Sequence, residues 1–156
     1  MTAKPAQATY LRKTGNTVRL GNRHVEFGFD IKSNGALVSL WDRRTDTEFI
    51  RDQKAPRVLY RLSLYDRKRK TTTVDSRQAR RSSWYCRESE EDTTLVLESG
   101  GFPGYTMSVR IEVTLPADSQ LSTWRMHVSG LRTDEALYLA EYPIVSGVLK
   151  VGDGVP

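Results

Sequence analysis

The segment YTMSVRIEVTL, residues 105–115, alternates without a break. Met107, Val109, Ile111, Val113 and Leu115 occupy one phase, and Ser108, Arg110, Glu112 and Thr114 the other. A period of two sends successive side chains to opposite faces of an extended strand, so one face enters a core and the other meets water. HVEFGFDI repeats the pattern, with Val25, Phe27, Phe29 and Ile31 opposite Glu26, Gly28 and Asp30. Nowhere do apolar residues recur at the spacing of a helical stripe. Further strands are expected around 17–21, 36–42, 57–66, 83–89, 93–99, 120–129 and 136–145. Val58, Tyr60, Leu62 and Leu64 form one inward set, and Trp124, Met126 and Val128 another. The stretches between them (GNR, SNG, ESEED, SGGFPG, PADS, RTDE) carry turn chemistry. The fold class is therefore all-β, an antiparallel β-sandwich. Its segments at 105–115 and 120–129 would form a long hairpin across PADSQ, and the cysteine–tryptophan–cysteine pattern of immunoglobulin domains is missing.

A chain of 156 residues is long enough for one domain with a real core. Residues 1–16 are expected to be a poorly ordered N-terminal segment, and 17–156 a single sandwich domain. No apolar run approaches the roughly 18 to 20 residues that cross a bilayer, so no membrane partner is expected. The opening MTAKPAQATYLRKTG has no signal-peptide pattern. The location is cytoplasmic by default, or extracytoplasmic if a leader was removed. The net charge of +5 brings nucleic acid into consideration. The basic residues cluster in DRKRKTTTVDSRQARR, residues 66–81. Such a run could bind phosphate or uronate, but it lacks the aromatics that base stacking needs. A long solvated loop, kept off other sheet edges by its charge, is the favoured reading.

Candidate chemistry is sparse. The single cysteine, Cys86, has no disulfide partner, and in an alternating strand it reads as a small buried residue. His24 and His127 each fall on the polar phase of a strand, beside Glu26 and Asp30 in one case and Arg125 and Ser129 in the other. Neither has the neighbours of a metal site. There is no Gly-x-Ser-x-Gly elbow, and the glycine-rich SGGFPG and VGDGVP open no helix that could hold a phosphate. No catalytic residue, metal ligand or cofactor is assigned. Glu141, between Tyr138 and Tyr142, is the acid best placed for sugar, because pyranose faces stack on aromatic rings while their hydroxyls seek acceptors. Trp84, Tyr85, Tyr138, Glu141 and Tyr142 are the carbohydrate-binding candidates, and Trp41 and Tyr105 are further aromatic ones. The stretch NGALVSLWDRRTDTEFI, with Trp41, Asp42, Arg43 and Arg44 close together, reads mainly as a hairpin opened by Asn34-Gly35.

Two stretches together resemble a known family. In VRLGNRHVEFGFDIKSNGALVSLWDRRTDTEFI, Asn22 precedes an alternating strand, Asn34-Gly35 makes a turn, and Leu37, Leu40 and Asp42 lead to a turn with Thr45 and Thr47. In STWRMHVSGLRTDEALYLAEYPIVSGVLKVGDG, a strand with Trp124 is followed by a polar turn and then by Tyr142, Pro143 and Gly147. Both are similar to the galactose-mutarotase-like β-supersandwich domain of large carbohydrate-active enzymes. The resemblance implies a non-catalytic accessory domain that packs against the catalytic domain of a glycoside hydrolase or polysaccharide lyase, a partner missing from this chain, and contacts oligo- or polysaccharide. The alternative is a stand-alone sugar-binding or sugar-epimerase-like protein. Epimerases of the superfamily use two histidines and a glutamate; the context of His24, His127 and Glu141 does not match, so those roles are not carried over. A complete supersandwich continues with more strands after the proline-containing one, so the chain is expected to be part of a larger sandwich.

Overall fold

The computed structural model describes residues 9–51, 56–66, 68–145 and 148–149. Fourteen strands run in chain order among them: β1 (Thr9–Thr14), β2 (Thr17–Asn22), β3 (Val25–Asp30), β4 (Ala36–Asp42), β5 (Thr47–Glu48), β6 (Ile50–Arg51) and β7 (Arg61–Tyr65), then β8 (Thr71–Asp75), β9 (Arg81–Glu88), β10 (Asp92–Gly100), β11 (Ser108–Pro116), β12 (Thr123–Ser129), β13 (Ala136–Glu141) and β14 (Val148–Leu149). They form an all-β antiparallel sandwich, not a closed barrel. A five-stranded sheet runs β1-β2-β3-β4-β5 and a four-stranded one β12-β11-β10-β9. A three-stranded sheet runs β13-β7-β8, and β14 pairs with β6.

The first two sheets meet face to face. Phe27 and Phe29 of β3 pack on Trp124 of β12, with ring centroids 6.1 and 5.8 Å apart. Val18, Leu20, Ile111, Val113 and Leu115 are buried in the same core. The alternation of β11 thus holds residue by residue, and β11 and β12 form the expected hairpin. The three-stranded sheet adds Leu62, Leu64 and Val74 to the core, and burial pushes the Tyr60 hydroxyl, bonded to Ser99, well above its ordinary range. Asn34 and Gly35 both take positive φ and turn the chain from β3 into β4. The Asn34 amide also donates to the carbonyls of Ser76 (2.7 Å) and Ala79 (3.1 Å), tying this hairpin to the segment after β8.

Four expectations need correction. Thr9–Thr14, placed in a poorly ordered segment 1–16, form β1 on the edge of the large sheet; residues 1–8 lie outside the described residues, as do Gly147 and VGDGVP. The supposed loop over 66–81 contains β8 and a single 3₁₀ turn, Ser76–Gln78, capped by Asp75. Cys86 is exposed, because β9 is an edge strand and its core-phase side chains are not all covered. His24 lies in the turn between β2 and β3 rather than in a strand, beside Asp118 and not Glu26.

Asn22 fastens that turn to the opposite sheet. It is buried; its amide donates to the carbonyls of Pro116 (2.9 Å) and Ser119 (2.7 Å), and its Oδ1 accepts from the amides of His24 (2.8 Å) and Val25 (3.0 Å). Asn22→Ala leaves buried backbone groups without partners and is expected to cost about 2 kcal/mol, read from the urea unfolding midpoint. A cost under about 0.5 kcal/mol would show that water replaces the side chain freely.

Candidate functional site

Residues directly opposite each other in paired strands share a face. On the four-stranded sheet this produces rows that cross all four strands. One row is Arg81, Gly100, Ser108 and Ser129; the next is Ser83, Glu98, Arg110 and His127; a third is Tyr85, Val96, Glu112 and Arg125. The first two rows line a groove of about 690 Å³. Gly100 keeps its floor low: a Cβ there would stand 3.4 Å from the Ser108 hydroxyl oxygen and 3.8 Å from an Arg81 nitrogen. The walls therefore offer guanidinium donors, a carboxylate acceptor, an imidazole and several hydroxyls.

Glu112 organises the charges beside the groove. Its carboxylate takes Arg87 at 3.0 Å, the Arg110 Nε at 3.6 Å and the His127 Nε2 at 3.6 Å. The Arg110 Nε is buried and has no hydrogen-bond partner among the described residues. Arg110 is thus held beside Glu112 by charge and packing rather than by a hydrogen bond through Nε. Among the described residues, no group of three His, Cys, Asp or Glu side chains could hold a metal ion.

No protein-family model and no curated protein matches this chain.

The five carbohydrate candidates are not brought together. Trp84 and Tyr85 are neighbours in β9 and so face opposite ways. Trp84 is half-buried and lines a separate cleft of about 370 Å³ with Ile31, Leu59, Tyr60 and Leu97, while Tyr85 stands exposed on the grooved face. Tyr138 is 63% exposed on β13, its ring 4.8 Å from that of Tyr65. Glu141 is exposed and pairs with Arg61 at 3.6 Å. Tyr142 is half-buried against the core, as is Tyr105. Tyr138 falls where the register of β13 on β7 shifts, at a bulge between Leu137 and Leu139. His24, His127 and Glu141 have separate partners: Asp118, Glu112 and Arg61. Asp118 lies below its ordinary pKa, chiefly through His24 and then Arg23.

A second cluster escaped the sequence reading altogether. Glu26, expected in water, faces outward from the five-stranded sheet yet is 1% exposed. Long side chains from neighbouring strands roof it. Arg19 of β2 donates to Oε1 at 2.7 Å, Arg12 of β1 donates to Oε2 at 3.0 Å, and the Tyr10 hydroxyl donates to Oε2. Arg43 donates to the Tyr10 hydroxyl oxygen and stands 3.9 Å from the carboxylate. Burial alone would raise the Glu26 pKa, but Tyr10, Arg19 and Arg12 outweigh it and hold it below its ordinary value. Burial, and then Glu26 itself, push Tyr10 upward. Two glycines make room. A Cβ on Gly21 would lie 2.4 Å from the Tyr10 oxygen, and one on Gly28 would lie 2.8 Å from the Ser39 Cβ and 3.6 Å from an Arg19 nitrogen. Glycine inside a strand pattern marks a close approach, and it was the signal available in the sequence.

Proposed function

We propose that this chain is a non-catalytic accessory β-sandwich domain of a carbohydrate-active enzyme that contacts glycan through the grooved face of the β9–β12 sheet. The observation that carries this reading is the groove itself. It is a shallow, open depression with room for one or two sugar rings, and it mixes donors (Arg81, Arg110), an acceptor (Glu98) and hydroxyls (Ser83, Ser108, Ser129) in crossing rows. Sugar hydroxyls both donate and accept, so a wall of alternating polarity satisfies them better than one of a single kind. Tyr85 adds an exposed ring on the same face. The galactose-mutarotase-like resemblance of the two sequence stretches points the same way. The partner in this reading is a catalytic domain outside this chain. The exposed Leu137, Tyr138 and Leu139 on edge strand β13 offer apolar surface for such a contact.

Titration calorimetry against a panel of neutral and acidic oligosaccharides tests this reading. At least one sugar should bind, and Arg81→Ala or His127→Ala should weaken it about tenfold, or about 1.4 kcal/mol. Heat from no glycan at millimolar concentration would sink the proposal.

A further inference from the structure

The Glu26 cluster holds more positive charge than it neutralises. Arg12, Arg19 and Arg43 are, among the described residues, in ion-pair reach of one carboxylate only, and that carboxylate is turned inward beneath them. The guanidiniums themselves reach the surface, with side-chain exposures of 57, 32 and 35%. Two further carboxylates on this face are already occupied, Glu48 by the amides of Leu40 (2.8 Å) and Ile50 (3.0 Å) and by the Ser39 hydroxyl, and Asp30 by the Lys32 amide (3.0 Å), the Ser33 hydroxyl (2.9 Å) and Arg57. Arg12 and Arg19 are direct cross-strand partners. Two like charges in that relation repel and destabilise a sheet, so placing them there costs stability that Glu26 offsets from below.

The arrangement also fixes the arginines in advance. Ordering a long side chain at an interface costs about 0.5–1.5 kcal/mol, and here Glu26 and Tyr10 have already ordered three of them. A guanidinium presents a planar fork of donors that matches the two oxygens of a carboxylate or sulfate. We infer that the outer face of the β1–β5 sheet is a second binding surface, specific for an anionic glycan whose carboxylate or sulfate groups engage Arg12, Arg19 and Arg43. That the polymer is a sugar rests on the carbohydrate reading above; that it is anionic rests on this cluster alone.

The aromatic rings of the patch argue against nucleic acid. Tyr10 lies across Gly21, with the guanidiniums of Arg12 and Arg43 5.3 and 5.7 Å from its centroid, and Arg43 also covers Trp41 at 5.3 Å. Single-stranded nucleic acid binds by stacking bases on open ring faces, and these rings already carry cations. A polymer held by charge and donor geometry needs no open ring.

The test measures binding of the full chain to polygalacturonate (carboxylate), dextran sulfate (sulfate), neutral dextran and single-stranded DNA, each over a range of salt. At least one of the two anionic glycans should bind, and neutral dextran should not bind this face. The double variant Arg12→Ser/Arg43→Ser keeps Arg19 on Glu26 and should remain folded, as judged by an unchanged circular dichroism spectrum and a cooperative melt. It should bind the anionic glycan about tenfold more weakly, with a salt dependence reduced by about two ions. Arg12→Lys/Arg43→Lys retains charge without the fork; it should lose affinity while retaining the salt slope. Arg81→Ala, in the other sheet, should leave this binding unchanged. Binding of neutral glycans alone would overturn this inference and leave the groove proposal standing. Anionic-glycan binding unaffected by the double variant, or tighter binding of DNA than of either anionic glycan, would overturn it too.

Discussion

Glu26→Gln is expected to lower the unfolding free energy by about 3 kcal/mol at neutral pH, although it changes neither the size nor the burial of the side chain. Removing one member of a buried ion pair costs about 3–5 kcal/mol, because the partners lose their compensation. The lower end applies here, since the three arginines remain partly in water and can rehydrate. Acid gives the sharper signature. The folded-state pKa of Glu26 lies below its ordinary 4.5, so its contribution is complete above that value and is lost as pH falls through the folded one. Asp30, held low by Ser33 and Arg57 against its burial, and Asp75, held low chiefly by Arg77, add the same dependence below 3.8. The wild-type chain should therefore lose stability as pH falls below about 4.5, and Glu26→Gln less steeply, so that the two converge in acid. Urea unfolding midpoints across that range measure it. Parallel pH curves for the two proteins would show that Glu26 is not ionised in the folded state.

How far the sequence alone could reach depended on how local each cause is. Which side chains share a face follows from parity within one strand, so Met107 to Leu115 and Val58 to Leu64 were legible directly. Which faces are covered depends on sheet order, and parity says nothing about that. Cys86 occupies a core phase but sits on an edge strand, and so it is exposed. Glu26 occupies a solvent phase but sits on β3 inside a five-stranded sheet, where Tyr10, sixteen residues earlier, reaches across β2 to cover it. β1 was missed because its strand reading is masked by Arg12 and Lys13, and β8 because its threonines are embedded in a basic run. The grooved face was likewise out of reach. Arg81, Glu98, Arg110 and His127 lie on four strands, and only their register brings them together. The stretch from Trp41 to Arg44 divides its side chains between a turn and the Glu26 cluster. Asp42 caps the turn through the Arg44 amide (2.9 Å), while Arg43 leaves it to join the cluster over Glu26.

Phe29→Ala should cost most of all, about 3–5 kcal/mol. The ring is fully buried near the end of β3, paired in register with Val18 on one side and Leu37 on the other, and it meets Trp124 of the opposing sheet. Truncation removes the transfer energy of a whole aromatic ring and opens a void between two sheets whose backbones cannot close over it. It also breaks an aromatic pair worth about 0.5–1.5 kcal/mol. Phe29→Leu keeps most of the volume and should cost less than about 1.5 kcal/mol. Domains of this size are stable by about 5–15 kcal/mol, so the alanine variant should sit close to its unfolding transition at ambient temperature. β3 carries both Phe29 and Glu26, on opposite faces. If the strand is the mechanical centre of the sandwich, loosening either face frees the other, and Phe29→Ala should also weaken anionic-glycan binding even under conditions where it remains folded. Equal urea midpoints for Phe29→Ala and Phe29→Leu would show that the sheets close over the void and that the contact with Trp124 does not hold them together.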